Sequence, residues 1–302
     1  MIRVANAPCS YGVFDESFDR DPDAADPVAI LDQVARAGYD GIDLGPRRFL
    51  GEGVVLRRRL KRRGLSLAGG YLELPLDDPV GMAACAPAIE ALLDALGSAS
   101  DPDAPARPTV AACATPARGA RPGRAAVDRS LGWDSAAWKR VAGAVGEVVA
   151  RCRARGFEPT FHPHGGTHVE AVWEIERLLE LTDIGLCLDT GHLAVGGGDA
   201  LTALRDWGER INHVHLKDVR ADVLGCIFDA GLSMAEVWRH GAFCELGAGD
   251  VPVAAVAGAL VDVGYRGWVV VEQDVLPQDA RRRAAAPRAQ AANRSVLASY
   301  GI

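Results

Sequence analysis

Six of the seven histidines in this chain fall within or just after three short segments that also carry carboxylates, a lysine and hydroxyls. The first is Thr160-Phe161-His162-Pro163-His164-Gly165-Gly166-Thr167-His168, the second Asp189-Thr190-Gly191-His192, and the third Asn212-His213-Val214-His215-Leu216-Lys217-Asp218. A fourth segment, Val269-Val270-Val271-Glu272-Gln273-Asp274, is an apolar run that stops on an acid. Side chains alternate along a strand, so Thr160, His162 and His164 share one face, as do His213, His215 and Lys217. A site built from two imidazoles and two carboxylates suits manganese, cobalt, zinc or iron better than the all-oxygen shell calcium prefers. His213 lies two residues deeper than His215 and is expected to support it rather than reach the reacting atoms. His168 is expected at the start of the following helix.

For these groups to meet, each must sit at the same end of its own strand. Ile184-Gly-Leu-Cys-Leu188 is a short run that reads as a strand buried on both faces, ending at Asp189. Seven further strands are predicted at 3–7, 41–44, 66–71, 108–113, 158–162, 212–217 and 268–272. Helices are predicted between them at 27–37, 52–63, 79–97, 135–155, 168–181, 200–205 and 253–263, with a last one at 287–299. Eight strands alternating with helices describe an α/β fold of the (β/α)8 TIM barrel type, in which chemistry sits at the C-terminal strand ends. An open doubly wound sheet would need a glycine-rich phosphate turn after the first strand, and Pro8-Cys9-Ser10-Tyr11-Gly12 is not one. One domain over 1–302 is expected, with an insertion at 221–250 after the seventh strand and a C-terminal helical segment at 277–302.

Composition narrows the partners. With 33 Lys plus Arg against 40 Asp plus Glu, the net charge of −7 argues against a nucleic-acid groove. No signal peptide is read at the N-terminus and no apolar run is read as a membrane span, so no membrane partner is expected. Seven scattered cysteines without a C-x-x-C pair read as reduced thiols of a cytoplasmic protein. Segment 99–107 reads as a linker. Segment 115–129, with Arg118, Arg121, Arg124 and Arg129, reads either as a mobile lid that grips an anionic substrate group or as a solvated loop. The insertion, with Phe228, Met234, Trp238 and Phe243, reads either as a cap on the pocket or as a buried subunit interface of a homo-oligomer.

The order Asp-Thr-Gly-His, then His-x-His-x-Lys-Asp, then Val-Val-Glu-Gln-Asp resembles the xylose isomerase-like barrel superfamily. The likeness extends over nearly the whole chain, through Ala37-Gly38-Tyr39-Asp40-Gly41-Ile42-Asp43-Leu44-Gly45 and Gly247-Ala248-Gly249-Asp250-Val251-Pro252. That group holds sugar isomerases and epimerases, inosose dehydratases and an abasic-site endonuclease. The resemblance implies that Asp189, His215 and Glu272 are ligands to a divalent metal (manganese, cobalt, zinc, iron or magnesium). In the group's epimerases a glutamate ending the fifth strand is the fourth ligand. Here the matching position is His162, with His164 as the rival.

The expected chemistry starts with loss of the proton next to a ketone of a keto-sugar or keto-inositol. Glu272 is the first candidate for the base and a strand-five histidine, His162 or His164, the second. His192 is expected to bind a substrate hydroxyl or complete the metal shell, Lys217 to hold an oxyanion, Asp218 to orient it, and Arg220 to contact substrate. Return of the proton to carbon gives an isomerase or epimerase, the leading expectation. Loss of a β-hydroxyl gives an inosose dehydratase-like lyase, which the His-x-His-Gly-Gly-Thr segment favours. An abasic-site endonuclease and a non-catalytic sugar-binding barrel come behind both.

Overall fold

Short β-branched runs such as Trp268-Val-Val-Val271 cannot bury themselves except against flanking strands on both sides, and this chain supplies such runs in series. In the computed structural model, which describes residues 1–21 and 25–302, they form β1 (Arg3–Asn6), β2 (Gly41–Ile42), β3 (Ser66–Leu67), β4 (Gly69–Leu74), β5 (Arg107–Ala112), β6 (Thr160–Phe161), β7 (Gly185–Asp189), β8 (Ile211–Leu216), β9 (Asp218–Val219), β10 (Phe243–Cys244) and β11 (Trp268–Val271). The main sheet runs β3-β2-β1-β11-β8-β7-β6-β5-β4, and its pairings are parallel. β3 and β4 are two halves of one barrel strand, broken at Ala68. The Ala68 N–H donates to the Ile42 carbonyl and the Ala68 carbonyl accepts from the Arg107 N–H, each at 3.0 Å, so this residue closes the ring. The result is the eight-stranded barrel that the strand count predicts.

Several predicted strands run past the regular ladder by a residue or two, and the extra residues still hydrogen-bond. The His162 N–H donates to the Val110 carbonyl at 2.7 Å, the Glu272 N–H to Leu216 at 3.1 Å and the Asp43 N–H to Asn6 at 2.8 Å. These residues are therefore held at the C-terminal rim by backbone bonds rather than hanging in loops.

Aspartates start most of the outer helices. Asp26, Asp78, Asp134, Asp199 and Asp279 each accept an N–H in the first turn of helices Pro27–Arg36, Pro79–Ala99, Ser135–Ala154, Ala200–Trp207 and Ala280–Ser299. Two helix starts differ from the sequence reading. The helix predicted from His168 begins at Val172, because the Glu174 carboxylate accepts from the Glu170 and Ala171 N–H groups and caps it there. The last helix begins at Ala280 rather than Pro287, carrying that proline inside it. It is tied to the barrel through Gln290, which accepts from Asn6 at 2.9 Å and donates to Gln273 at 3.1 Å.

Helix Pro79–Ala99, 21 residues long, is one the sequence reading underrated: by length and composition alone it is apolar enough to cross a membrane. Here its Ile89, Leu92, Leu93 and Leu96 are buried in the barrel core, while Glu90 and Asp94 pair with Arg155. The linker at 99–107 is also less detached than expected: Ala104 packs with Ala5, Ala68, Trp268 and Val270, and Asp101 pairs with Arg3.

The 221–250 segment folds as helices Ala221–Asp229 and Met234–Arg239 followed by β10, which pairs antiparallel with β9. Leu224, Ile227, Met234, Val237 and Phe243 bury their apolar surface against Val195 and Val219 of the barrel rim. The insertion thus lies as an apolar lid against its own barrel.

Candidate active site

The Asp189-Thr190-Gly191-His192 segment ends β7, and each of its four residues has a separate task. Asp189 Oδ1 accepts the Gly191 and His192 N–H groups, both at 2.8 Å, which caps the short helix Thr190–Val195 and leaves Oδ2 facing inward. The Thr190 hydroxyl donates to the Lys217 carbonyl at 2.7 Å and accepts the Lys217 N–H at 2.9 Å. A Cβ on Gly191 would lie 2.7 Å from Lys217 Cγ, so only glycine leaves room for the lysine stem. His192 accepts the Gly165 N–H on Nδ1 at 3.2 Å, and its Nε2 lies 3.2 Å from Lys217 Nζ.

The neighbouring strands complete a ring around Asp189. Register places Asp189 opposite His215, and His215 opposite Val270, two residues before Glu272. His162 Nε2 lies 3.2 Å from Asp189 Oδ2; His215 Nδ1 lies 3.8 Å from the same oxygen and 3.3 Å from Glu272 Oε1. One ligand atom from each of His162, Asp189, His215 and Glu272 falls within 4.8 Å of the others, and all four residues are buried. The structure thus brings together these four, with His162 rather than His164 as the strand-five member. The His215 Nδ1 and Nε2 and the His162 Nδ1 are buried without a hydrogen-bond partner among the described residues. Buried imidazole nitrogens left without partners, beside two carboxylates, are what a divalent cation would satisfy, so the donor set fits one.

Charge is concentrated in this ring. Lys217, fully buried, places Nζ 3.0 Å from Glu272 Oε2, 3.4 Å from Asp189 Oδ2 and 3.1 Å from Asp274 Oδ2. Burial alone would push the Asp189 carboxyl up, but the Lys217 ammonium and His162 outweigh it and hold the group at about 2. Burial likewise opposes ionisation of Glu272, and His215 and Lys217 overcome it, holding that carboxyl well below its usual range. Burial disfavours charge on His215 too; Cys187 and Glu272 win and push it well above the ordinary imidazole value. His164 goes the other way: burial, then His162 and Lys217, bring it to about 3, so its imidazole is neutral. Asp43, below the ring, is pushed up to about 7 by burial.

With the site's geometry in hand, comparison with known proteins is direct: a family model described as the xylose isomerase-like TIM barrel matches residues 31–295. The chain belongs to the xylose isomerase-like TIM barrel family. Among relatives of this barrel, the inosose dehydratase of Clostridium tetani is 35% identical over 143 residues, 46% of this chain and 48% of that protein. The match therefore spans about half the length of that relative. The rhizopine catabolism protein MocC of Rhizobium meliloti is 33% identical over 257 residues, 83% of this chain and 75% of that protein. Among solved structures, a D-allulose 3-epimerase from Methylomonas sp. superposes with a TM-score of 0.68 at 14% identity, covering 99% of this chain and 98% of that one, a likeness of fold.

Outside the ring, this xylose isomerase-like barrel gives the other predicted residues partners of their own. Asp218 does not orient Lys217: its carboxylate accepts the N–H groups of Gly247, Gly249 and Val251 at 2.8 to 3.0 Å, and so holds the Gly247–Val251 turn. Arg220 starts helix Ala221–Asp229, half-buried beside Cys244. Within segment 115–129, Arg121, Arg124 and Arg129 are exposed, whereas Arg118 is drawn into the interior. Arg118 is buried, paired with Glu174 at 2.7 and 2.9 Å and with Glu170 at 3.3 Å, and Trp173 donates to the Ala125 carbonyl. His168 stacks on Trp133, ring centroids 4.9 Å apart, as a packing residue.

Other residues reach the ring without having been singled out. Asp43 Oδ2 lies 3.7 Å from His215 Nε2, and Cys9 falls in one cluster with Glu272 and Asp274. Tyr71 sets its ring against His162 and His164 at 5.7 and 6.2 Å, and Trp238 lies 6.2 Å from His164, which gives the ring an aromatic, half-exposed rim. Two of these carried a sequence signal: Asp43, as the acid in Gly41-Ile42-Asp43, and Trp238, as a large apolar residue of the insertion.

Proposed function

We propose that this protein is a divalent-metal-dependent enzyme that enolises a polyhydroxy ketone, a keto-sugar or keto-inositol, to isomerise or epimerise it. The observation that carries the reading is the buried His162–Asp189–His215–Glu272 cluster, two nitrogens and two carboxylates within 4.8 Å at the chemistry-bearing end of the barrel. When bound, a divalent cation supplies the positive charge that makes the carbon acid next to the ketone easier to ionise.

This chain's residues do the rest. Glu272, kept ionised by His215 and Lys217, takes the proton from the carbon next to the ketone. Lys217 donates to the oxygen on which negative charge develops. Neutral His192 and His164 bind substrate hydroxyls, and Tyr71 and Trp238 exclude water from the rim. Reprotonation at carbon by Glu272 completes an isomerisation; in an epimerisation Glu272 releases its proton to solvent and the other face of the carbon takes one from solvent.

A second reading, an inosose dehydratase-like lyase, is favoured by a specific observation: a histidine, not a second carboxylate, stands at the strand-five position, and the relatives matched over 143 residues are named inosose dehydratases. There the bond from the β-carbon to its hydroxyl breaks, the oxygen takes a proton from Lys217 and leaves as water. The proton on Glu272 then passes to Lys217, 3.0 Å away, and resets the site. Seven free cysteines fit a reducing, cytoplasmic setting. Incubation of the manganese-loaded protein with ketoses and keto-inositols in D2O tests both. Deuterium incorporated at the α-carbon of recovered isomer supports the first reading; water loss with a conjugated-enone absorbance and no isomer supports the second; neither product sinks the shared enolisation.

A further inference from the structure

Lys217 has more acceptors than it has protons. An ammonium offers three N–H donors, yet Nζ lies within 3.4 Å of Asp189 Oδ2, Glu272 Oε2, both oxygens of Asp274 and His192 Nε2. Its four-carbon stem is flexible and fully enclosed, so which acceptors it serves depends on what holds the groups around it. Two of those holds come from the 221–250 insertion. The Trp238 indole N–H donates to Asp274 Oδ2 at 2.9 Å, and the Phe243 ring lies under the ammonium with Nζ 4.9 Å from its centroid.

We propose that the insertion positions Lys217: Trp238, acting through Asp274, and Phe243, acting on the ammonium itself, hold Nζ where it serves Asp274 as well as Asp189 and Glu272. The role assigned to Lys217 rests on the proposed enolisation; the positioning does not. Without the indole N–H, the buried Asp274 carboxylate loses a fixed partner and turns, and the ammonium leaves the place it holds between Asp274, Glu272 and Asp189. Trp238 and Phe243 are thus positioning residues, and the insertion is a working part of the site rather than a cover.

The chain has three lysines, Lys61, Lys139 and Lys217, so Nζ-labelled lysine gives three assignable ammonium resonances in nitrogen NMR. Trp238→Phe keeps the ring and removes the N–H. It is expected to move the Lys217 resonance while leaving Lys61 and Lys139 in place. It is also expected to lower kcat about tenfold, the worth of one hydrogen bond to a charged group, with KM within about twofold. Asp274→Asn should move the same resonance, which guards against an effect peculiar to the tryptophan. An unmoved Lys217 signal in both folded variants overturns the positioning, whatever happens to activity. A moved signal in a protein whose parent enolises no polyhydroxy ketone upholds the positioning and overturns the functional reading alone.

Discussion

Lys217 and a divalent cation would share two carboxylates, so replacing the lysine should make stability depend on the metal. In Lys217→Met the apolar stem stays and the charge goes, leaving Asp189 and Glu272 buried without the ammonium now 3.4 and 3.0 Å away. At an effective dielectric of about 20, a unit pair at about 3 Å attracts by roughly 5 kcal/mol. Desolvation offsets part of that, and removing one partner of a buried pair typically costs about 3–5 kcal/mol. At roughly 2–4 °C per kcal/mol, the metal-free variant should melt about 6–20 °C below the parent. The loss is largest where both carboxylates are ionised and shrinks on acidification as they take up protons. Manganese at a hundred times its Kd should then return about 2.7 kcal/mol, more than half of the loss. The parent should gain less at the same free manganese, because its lysine repels the ion. Calorimetric melts of both proteins with chelator and with manganese decide it. A variant as stable as the parent without metal, or one that gains less from manganese than the parent, refutes the shared-carboxylate account.

Three more predictions bear on the same site and its frame. Glu272→Gln removes the proposed base and should lower kcat by about 10²–10⁴-fold with no deuterium uptake from D2O; retained uptake would move the base elsewhere. Arg118→Met leaves Glu170 and Glu174 facing each other in the interior and should cost about 3–5 kcal/mol in urea titrations, with kcat per folded molecule unchanged; a raised KM for an anionic substrate at unaltered stability would restore the anion-gripping role. His215 is raised well above the ordinary imidazole value, so in the metal-free protein it carries a proton near neutral pH, and a cation must displace it. Metal affinity should therefore be full above that raised value and fall by up to about tenfold per pH unit below it. Calorimetric titrations in buffers of different ionisation enthalpy should register close to one proton released, and none released contradicts the assignment.

The barrel was legible because its strands are short apolar runs that alternate with helices, and the ring was legible because its members end four of those runs. Alternation and strand order placed Asp189, His215 and Glu272 at neighbouring strand ends, and the family resemblance supplied their reading as ligands. What stayed hidden depends on partners far away in the chain. Arg118 reads as a loop cation until Glu170 and Glu174, 52 and 56 residues on, fold against it. Asp218 reads as a neighbour of Lys217 until the Gly247–Val251 turn takes both its oxygens. Trp238, Asp274 and Cys9 carry no local periodicity that points to one place, and only closure of the barrel brings β1, β11 and the insertion together. The strand-five position was open between two histidines because the regular strand ends at Phe161, beyond which alternation no longer tells which ring faces inward.

The reciprocal bonds between Thr190 and the Lys217 backbone, with the room Gly191 leaves for the lysine stem, have a consequence for anyone who would redesign this barrel. Residues 189–192 and 213–217 form an interlocking cassette: transplanting the aspartate and histidines alone onto another scaffold would deliver donor atoms without the seat for the ammonium. Sequence drift at 190 or 191 should accordingly be epistatic with position 217, so a library that varies either strand end should vary both.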